Sequence, residues 1–338
     1  MKTKTKAPSY YLGIDAGGTR SRALLIERDG TIRGYGYGGA ANPSNASMDS
    51  VIRGLGAAAD AAWKDAGFPK RRAATACFIG AAGIKEAGEC AAYGKAVARG
   101  AGLAPADKCV AVNDTEAALA GGLPGKPGMV VIAGTGSFCV GRDASGRVAR
   151  CGGWGWLICD VGSGFYLGRE ALRATMRADD GRLAPGPLSE SVLKHFGVRN
   201  AELMMVPVYA GAFSPTTIAS LAPLVMSAAL AGDRVAKDIL RAGARDLAEL
   251  AGRVASGLSW RGAAPELVLV GGVAKSGKPY QPLIEAAIRK AVPGVVISDA
   301  ALPPVAGAAL RALELDNVAA NPALLERLAS GLSGRKIV

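Results

Sequence analysis

Two stretches of the chain repeat one pattern, and this repeat restricts the fold more than any other feature. Residues 13–36 read GIDAGGTRSRALLIERDGTIRGYG. An apolar run meets a glycine turn, a second run meets the tight Asp29-Gly30 turn, and a third run follows. This is the signature of a β-meander of two hairpins. Residues 130–150, VVIAGTGSFCVGRDASGRVAR, restart the same order, with a polar turn at Ser145-Gly146. The turns at Gly30 and Gly146 lie 116 positions apart (146 − 30). A duplicated βββ unit of this length implies two similar lobes.

Each copy is followed by alternating helical and apolar segments. After the first copy the spacing predicts a helix over Met48–Ala66, a strand over Ala76–Gly80 and a helix over Glu86–Ala101. A strand over Lys108–Val112 follows, and Asp114 opens another helix. After the second copy, helices are expected at Ser189–Phe196, Thr216–Ala231 and Arg234–Ser256. The strand Leu267–Val270, a helix from about Pro282, a strand at Val295–Ile297 and a helix at Val305–Leu313 complete the pattern. The class is α/β, with duplicated βββαβαβα lobes and an interlobe cleft expected. The N-terminal lobe is expected over residues 8–118 and the C-terminal lobe over 119–304, with helices in 305–338 packing back on the first.

Charge and cysteines narrow the chemistry. The chain carries 40 Lys and Arg against 28 Asp and Glu, a net charge of +12. Basic residues are scattered, apart from Lys2, Lys4 and Lys6 and the run Lys70, Arg71 and Arg72, and no basic stripe alternates with aromatics. No nucleic-acid partner is expected on this pattern. The six cysteines include no CxxC pair and read as buried free thiols. The uncharged stretch Leu203–Gly232 is broken by Pro207, Pro215 and Pro223, so a membrane span is not expected. The polar, lysine-rich opening does not read as a secretion signal, and a cytoplasmic location is expected.

Five motifs carry chemistry. Asp15, Gly17, Gly18 and Thr19 form a turn whose amides and hydroxyl suit phosphate oxygens, with Asp15 placed to hold Mg²⁺ through water. Gly134, Thr135 and Gly136 occupy the matching turn of the second copy. Gly271-Gly272 follows the strand ELVLV, where a small-residue turn lets a flat base or ribose pack on backbone. Asp114 in Asn113-Asp114-Thr115 either caps its helix or accepts a proton from a substrate hydroxyl. Gly153-Trp154-Gly155 and Asp160 offer an aromatic face and a carboxylate that suit a sugar ring, with core packing as the alternative for Trp154. His195 is the single histidine, and no GxxxxGK[ST] loop occurs, so a P-loop is excluded.

The duplicated unit with these turns resembles the actin-like ATPase superfamily. More narrowly, GIDAGGTRS, VNDTEAALAG, IAGTGS, CGGWG with DxGS, and VGGVAKS resemble the BadF/BadG/BcrA/BcrD ATPase family, nearest its N-acetylglucosamine and glucosamine kinases. The resemblance runs from about Leu12 to Leu310. It implies a hexokinase-type fold, ATP and Mg²⁺ as cofactors, an amino sugar phosphorylated at its 6-hydroxyl, and often a homodimer. Thr19 and Thr135 would contact phosphates, and Gly272 and Ser276 would lie on the adenosine side. Asp114 would be the base, while Asn42, Gly153, Trp154, Gly155 and Asp160 would hold the sugar. The chain departs from these kinases at Phe138, where they carry Asn, and N-acetylglucosamine and glucosamine both stand as substrates. The family also includes ATPases that activate iron–sulfur dehydratases, which is the alternative function.

Overall fold

A computed structural model describes residues 9–18, 20–43, 46–210 and 213–333, the side chain of Tyr209 excepted. Thr19 and the lysines at positions 2, 4 and 6 lie outside the described residues. The chain divides into two compact units, residues 1–126 with 300–338, and residues 127–299.

Unit 1 begins with the expected meander: β1 (Tyr10–Ala16), β2 (Ser21–Glu27) and β3 (Ile32–Gly38). Helix α1 (Met48–Asp65) follows, its first turn capped by the Ser47 hydroxyl accepting from the Ser50 amide at 3.3 Å. Then come β4 (Ala76–Ala81), α2 (Ala87–Ala101), β5 (Cys109–Asn113) and α3 (Asp114–Gly122). The sheet order is β3-β2-β1-β4-β5, with β1, β4 and β5 parallel.

β3 reads IRGYGYG, and side chains alternate across a strand. Gly34, Gly36 and Gly38 therefore share the face that α1 covers, while Tyr35 and Tyr37 meet edge to face on the other at 5.0 Å. A Cβ on Gly36 would lie 2.2 Å from the Ala58 carbonyl oxygen, so helix backbone rests directly on strand backbone.

Unit 2 repeats the order with β6 (Gly128–Ala133), β7 (Ser137–Arg142) and β8 (Val148–Gly152). Six helices follow: α4 (Gly164–Asp179), α5 (Pro187–Phe196), α6 (Ala201–Tyr209), α7 (Pro215–Ala219), α8 (Ala222–Leu230) and α9 (Arg234–Ser256). Next come β9 (Glu266–Val270), α10 (Tyr280–Ala291) and β10 (Val296–Ser298). Its sheet runs β10-β9-β6-β7-β8, which matches unit 1 strand for strand. The chain then returns to unit 1 with α11 (Pro304–Glu314) and α12 (Pro322–Ser333). Unit 1 has a core on each side of its sheet, one under α1 and α2 and one under α11 and α12. The core of unit 2 joins its sheet to α4, α5, α8, α9 and α10.

Three sequence expectations need correction. The helix expected over Thr216–Ala231 is two helices, because Pro223 lacks the N–H that would continue α7 into α8. Helices α4 and α6 were not foreseen. The boundaries fall at 126/127 and 299/300 rather than at 118/119 and 304/305. The reason is packing: α3 lies along α11, and a Cβ on Gly307 would sit 2.0 Å from the Ala117 carbonyl oxygen. The amides of Ala301 and Leu302 also donate to Gly122 and Gly121, which ties residues 300–304 to unit 1.

Among the described residues, no single helix is long and apolar enough to cross a membrane. All six cysteines are free, and Cys77, Cys109 and Cys139 are buried.

Asp143 fastens the β7–β8 hairpin. Its Oδ1 accepts from the Ser145 hydroxyl at 2.6 Å and from the Ser145 and Arg147 amides at 2.9 and 3.1 Å, and its Oδ2 accepts from the Ser259 amide at 3.2 Å. The Ser145 hydroxyl leads these bonds in holding the carboxyl down to about 2, from an ordinary 3.8. A depressed carboxyl adds stability that is fully present above its unfolded value and is lost as pH falls through its folded value. Asp143→Ala therefore lowers the melting temperature at pH 7, and the gap to wild type closes as pH approaches 2. Thermal unfolding across that pH window checks it. A gap that is the same at both ends would show that the carboxylate charge is not what stabilises the hairpin.

Candidate functional site

In unit 1 the chemistry-bearing residues gather at one sheet edge. The parallel register pairs Asp15 with Gly80 and Gly80 with Val112, and then Ala16 with Ala81 and Ala81 with Asn113. Strands β1, β4 and β5 therefore end level, and their C-terminal loops share an edge about 10 Å across, two strand spacings. In open α/β sheets this edge is where ligands bind.

Each loop there is fastened. Gly17 and Gly18 turn β1 into β2. The Gly17 amide donates to the Arg20 carbonyl at 3.1 Å, and its carbonyl accepts from Ala41 at 3.1 Å. The buried Tyr93 hydroxyl donates to the Ala41 carbonyl at 2.8 Å and pins the segment leading to Asn42. Asn42 reaches two loops: a Cβ on Gly83 would lie 2.1 Å from its Oδ1, and one on Gly18 would lie 3.9 Å from its Nδ2. Asn113 ties β5 to the loop after β4, donating from Nδ2 to the Ile84 carbonyl at 2.7 Å.

Asn113 also bears on the cap reading of Asp114. The α3 cap is Asn113, whose Oδ1 accepts from the Thr115 amide at 3.2 Å. Asp114 is the first helical residue and is not needed as the cap.

Asp15 pairs with a residue the motif reading passed over. Arg22 stands opposite it in the β1–β2 register and donates from Nη1 to Asp15 Oδ2 at 3.0 Å. Burial pushes the Asp15 carboxyl above the ordinary carboxylate range, against the pull of Arg22 and of the Arg20 charge. A hairpin that turns between positions 15 and 22 brings the two side by side, which is the signal that could have found Arg22.

In unit 2 three elements converge on the Gly134–Gly136 turn. The Gly134 amide donates to the Gly136 carbonyl at 2.9 Å. In both copies, then, the first glycine's N–H closes the turn. The N-terminus of α4 meets this turn, with Gly164 donating to Gly134 at 2.8 Å and Phe165 to Thr135 at 3.1 Å. The Gly271 loop meets it too. Val273 and Ala274 donate to the Ala133 carbonyl at 3.1 and 2.9 Å. Gly271 has φ +102°, and a Cβ there would lie 2.5 Å from that carbonyl oxygen. Gly272 faces open space, and farther along this loop the Ser276 hydroxyl is buried without a hydrogen-bond partner.

Asp160 belongs with this group. A Cβ on Gly136 would lie 2.6 Å from its Oδ2, so its carboxylate packs on the turn. Its carbonyl accepts from the Ser163 hydroxyl at 2.6 Å, and that hydroxyl caps α4. Gly153, Trp154 and Gly155 form a separate cluster at the exit of β8. There the Gly153 amide donates to the Ser137 carbonyl at 3.1 Å, and Trp154 is 67% exposed. Leu157 and Ile158 extend the exposed apolar surface, and Trp156 packs edge to face on Phe165 at 5.2 Å. Trp154 is thus not a core residue.

Residues 12–312 match the model of the BadF/BadG/BcrA/BcrD ATPase family. An N-acetylmuramic acid/N-acetylglucosamine kinase of Clostridium acetobutylicum is 32% identical over 264 residues, covering 78% of this chain and 85% of that protein. A glucosamine kinase of Vibrio cholerae is 28% identical over 246 residues, covering 71% and 78%. A solved structure from Chromobacterium violaceum, provisionally assigned as an N-acetylglucosamine kinase, superposes with a TM-score of 0.74 at 28% identity, covering 90% of this chain and 99% of that one. A ROK family glucokinase of Streptomyces griseus superposes with a TM-score of 0.57 at 21% identity, covering 91% and 99%.

Proposed function

The chain belongs to the BadF/BadG/BcrA/BcrD ATPase family, and from that premise we propose that it is an ATP-dependent amino-sugar kinase. In this reading it transfers the γ-phosphoryl group of ATP to the 6-hydroxyl of N-acetylglucosamine or glucosamine. Its fold is the hexokinase-type actin-like ATPase fold, α/β, with two five-stranded sheets of matching order. The observation that carries the reading is the level C-terminal edge of β1, β4 and β5, which holds Asp15, runs directly into Asp114, and has Asn42 packed against its loops at Gly18 and Gly83.

Asp114 orients the sugar hydroxyl and takes its proton as the bond to phosphorus forms. Asn42, Gly153, Trp154, Gly155 and Asp160 are the residues proposed to contact the sugar. The exposed Trp154 ring offers an apolar face to the C–H side of a pyranose. The Gly17-Gly18-Thr19 and Gly134-Thr135-Gly136 turns are proposed to contact the phosphates. Asp160, packed on Gly136, couples sugar binding to that phosphate turn. Gly271 and Gly272 receive the nucleoside, and the unpartnered Ser276 hydroxyl fits a ligand hydroxyl there.

Asp15 suits Mg²⁺ held through water. It is a hard oxygen donor, and among the described residues no group of three or more His, Cys, Asp or Glu side chains could hold a metal alone. A single carboxylate beside phosphate oxygens is the usual arrangement for this ion. When bound, Mg²⁺ neutralises phosphate charge, and it would also hold the buried Asp15 carboxyl ionised.

A coupled ADP-release assay with MgATP tests the reading. Glucosamine, N-acetylglucosamine, N-acetylmuramic acid, glucose and no sugar are run side by side, and phosphorus NMR locates the phosphate on the product. The expected result is release that depends on one amino sugar, with the phosphate coupled to the C6 protons. Release that ignores the sugar overturns the kinase reading and favours the iron–sulfur-activating ATPase.

A further inference from the structure

The loop carrying Trp154 is gripped by a residue to which the proposed function assigns no role. Arg150 lies on β8 opposite Val140, on the same sheet face as Phe138. Its guanidinium carbon sits 5.5 Å from the centre of the Phe138 ring. Its Nη2 donates to the Gly153 carbonyl at 2.9 Å. Gly153 has φ +69°, and a Cβ there would lie 2.3 Å from Arg150 Nη2, so the guanidinium fills the space a side chain would need. The same residue's amide donates to Ser137, so Gly153 is held from both sides. Trp154 follows directly, and with two-thirds of it exposed, burial does little to fix its ring.

We propose that Arg150 is a positioning residue for the sugar loop, acting through the Gly153 carbonyl with the Phe138 ring as its platform. This rests on the reading that the Trp154 loop holds the sugar. A planar guanidinium can stack on a ring and donate in its own plane at once, whereas an ammonium group donates without stacking flat. A charged donor also makes a stronger bond to a carbonyl than a neutral one. Arg150 therefore sets where the chain emerges from β8, and with it the direction of the Trp154 ring.

The test uses the full chain with Arg150→Met, Arg150→Lys and Phe138→Leu. Sugar KM, MgATP KM, kcat and the hydrogen exchange of residues 153–158 without ligand are measured together. Arg150→Met should raise sugar KM about tenfold, the worth of one charge-assisted hydrogen bond. MgATP KM should stay within about twofold, as for a loss confined to sugar binding. Exchange in the loop should quicken while that in β6 and β7 is unchanged. Phe138→Leu should give a smaller rise, and Arg150→Lys should restore only part of the loss. An unchanged sugar KM in Arg150→Met overturns the proposal. So does a joint rise of both KM values with a lower melting temperature, which would mean that Arg150 serves the sheet. If wild type ignores sugar altogether, the kinase reading fails, and the exchange data still decide whether Arg150 holds the loop.

Discussion

Asp114→Asn should lower kcat by about 10²–10⁴-fold, the range for losing a positioned general base. The Kd for MgATP should stay within about twofold, because the proposed role of Asp114 is toward the acceptor hydroxyl and not the nucleotide. Asn keeps the size and polarity of Asp but cannot take up the sugar proton at neutral pH. The fold should survive, since the cap of α3 is made by Asn113 and not by Asp114. Rapid-quench measurement of phosphoryl transfer, with calorimetric titration of the nucleotide, separates the two effects. A variant that keeps more than about a tenth of kcat would remove Asp114 from the role of base, since a positioned base contributes more than that. Loss of nucleotide binding together with transfer would count equally against the assignment.

Gly36→Val should cost at least about 3 kcal/mol, the upper range for forcing volume into a packed interior. For units of this size that is a fall in melting temperature of roughly 10 °C. A Cβ at this position would lie 2.2 Å from the Ala58 carbonyl oxygen, 2.5 Å from the Ala62 nitrogen and 2.8 Å from the Ala61 Cβ. Two of these atoms are helix backbone and cannot rotate away. Helix α1 would have to lift from β3, which exposes the Leu55, Ala58 and Ala62 face that it now buries. Gly36→Ala should act in the same direction with a smaller size, because the Cβ alone makes the clash. Differential scanning calorimetry of both variants measures this. A Gly36→Val protein that melts with wild type would mean that the helix does not sit on the strand at this spacing.

Much of the scaffold was legible in the sequence. The two meanders, their glycine turns and the long helix α9 all follow from local rules. Turn residues at fixed offsets and runs with a period of 2 or 3.6 need no distant partner to be recognised. The alternate glycines of IRGYGYG mark one face of β3, although not which helix lands on it. Helix α4 was readable but passed over: Phe165, Leu167, Gly168, Ala171, Leu172 and Thr175 form its buried stripe behind the Ser163 cap. Helix α12 shows the same kind of signal in Leu324, Leu328 and Leu332. Helix α6 carries a weaker one, because apolar residues surround it on all sides and Pro207 lies within it.

The sequence by itself determined the duplicated α/β order, the two glycine turns and the residue types available for phosphate and sugar chemistry. Only the tertiary structure decided which of those residues stand together. It set Arg22 against Asp15, carried Asn42 to Gly83, packed Asp160 on Gly136 and locked Gly153 between Arg150 and Ser137. It also drew α11 back onto α3, across more than 180 residues of chain. Propensity and periodicity are properties of neighbouring residues, whereas such pairings come from sheet register and backbone approach between segments that share no local signal.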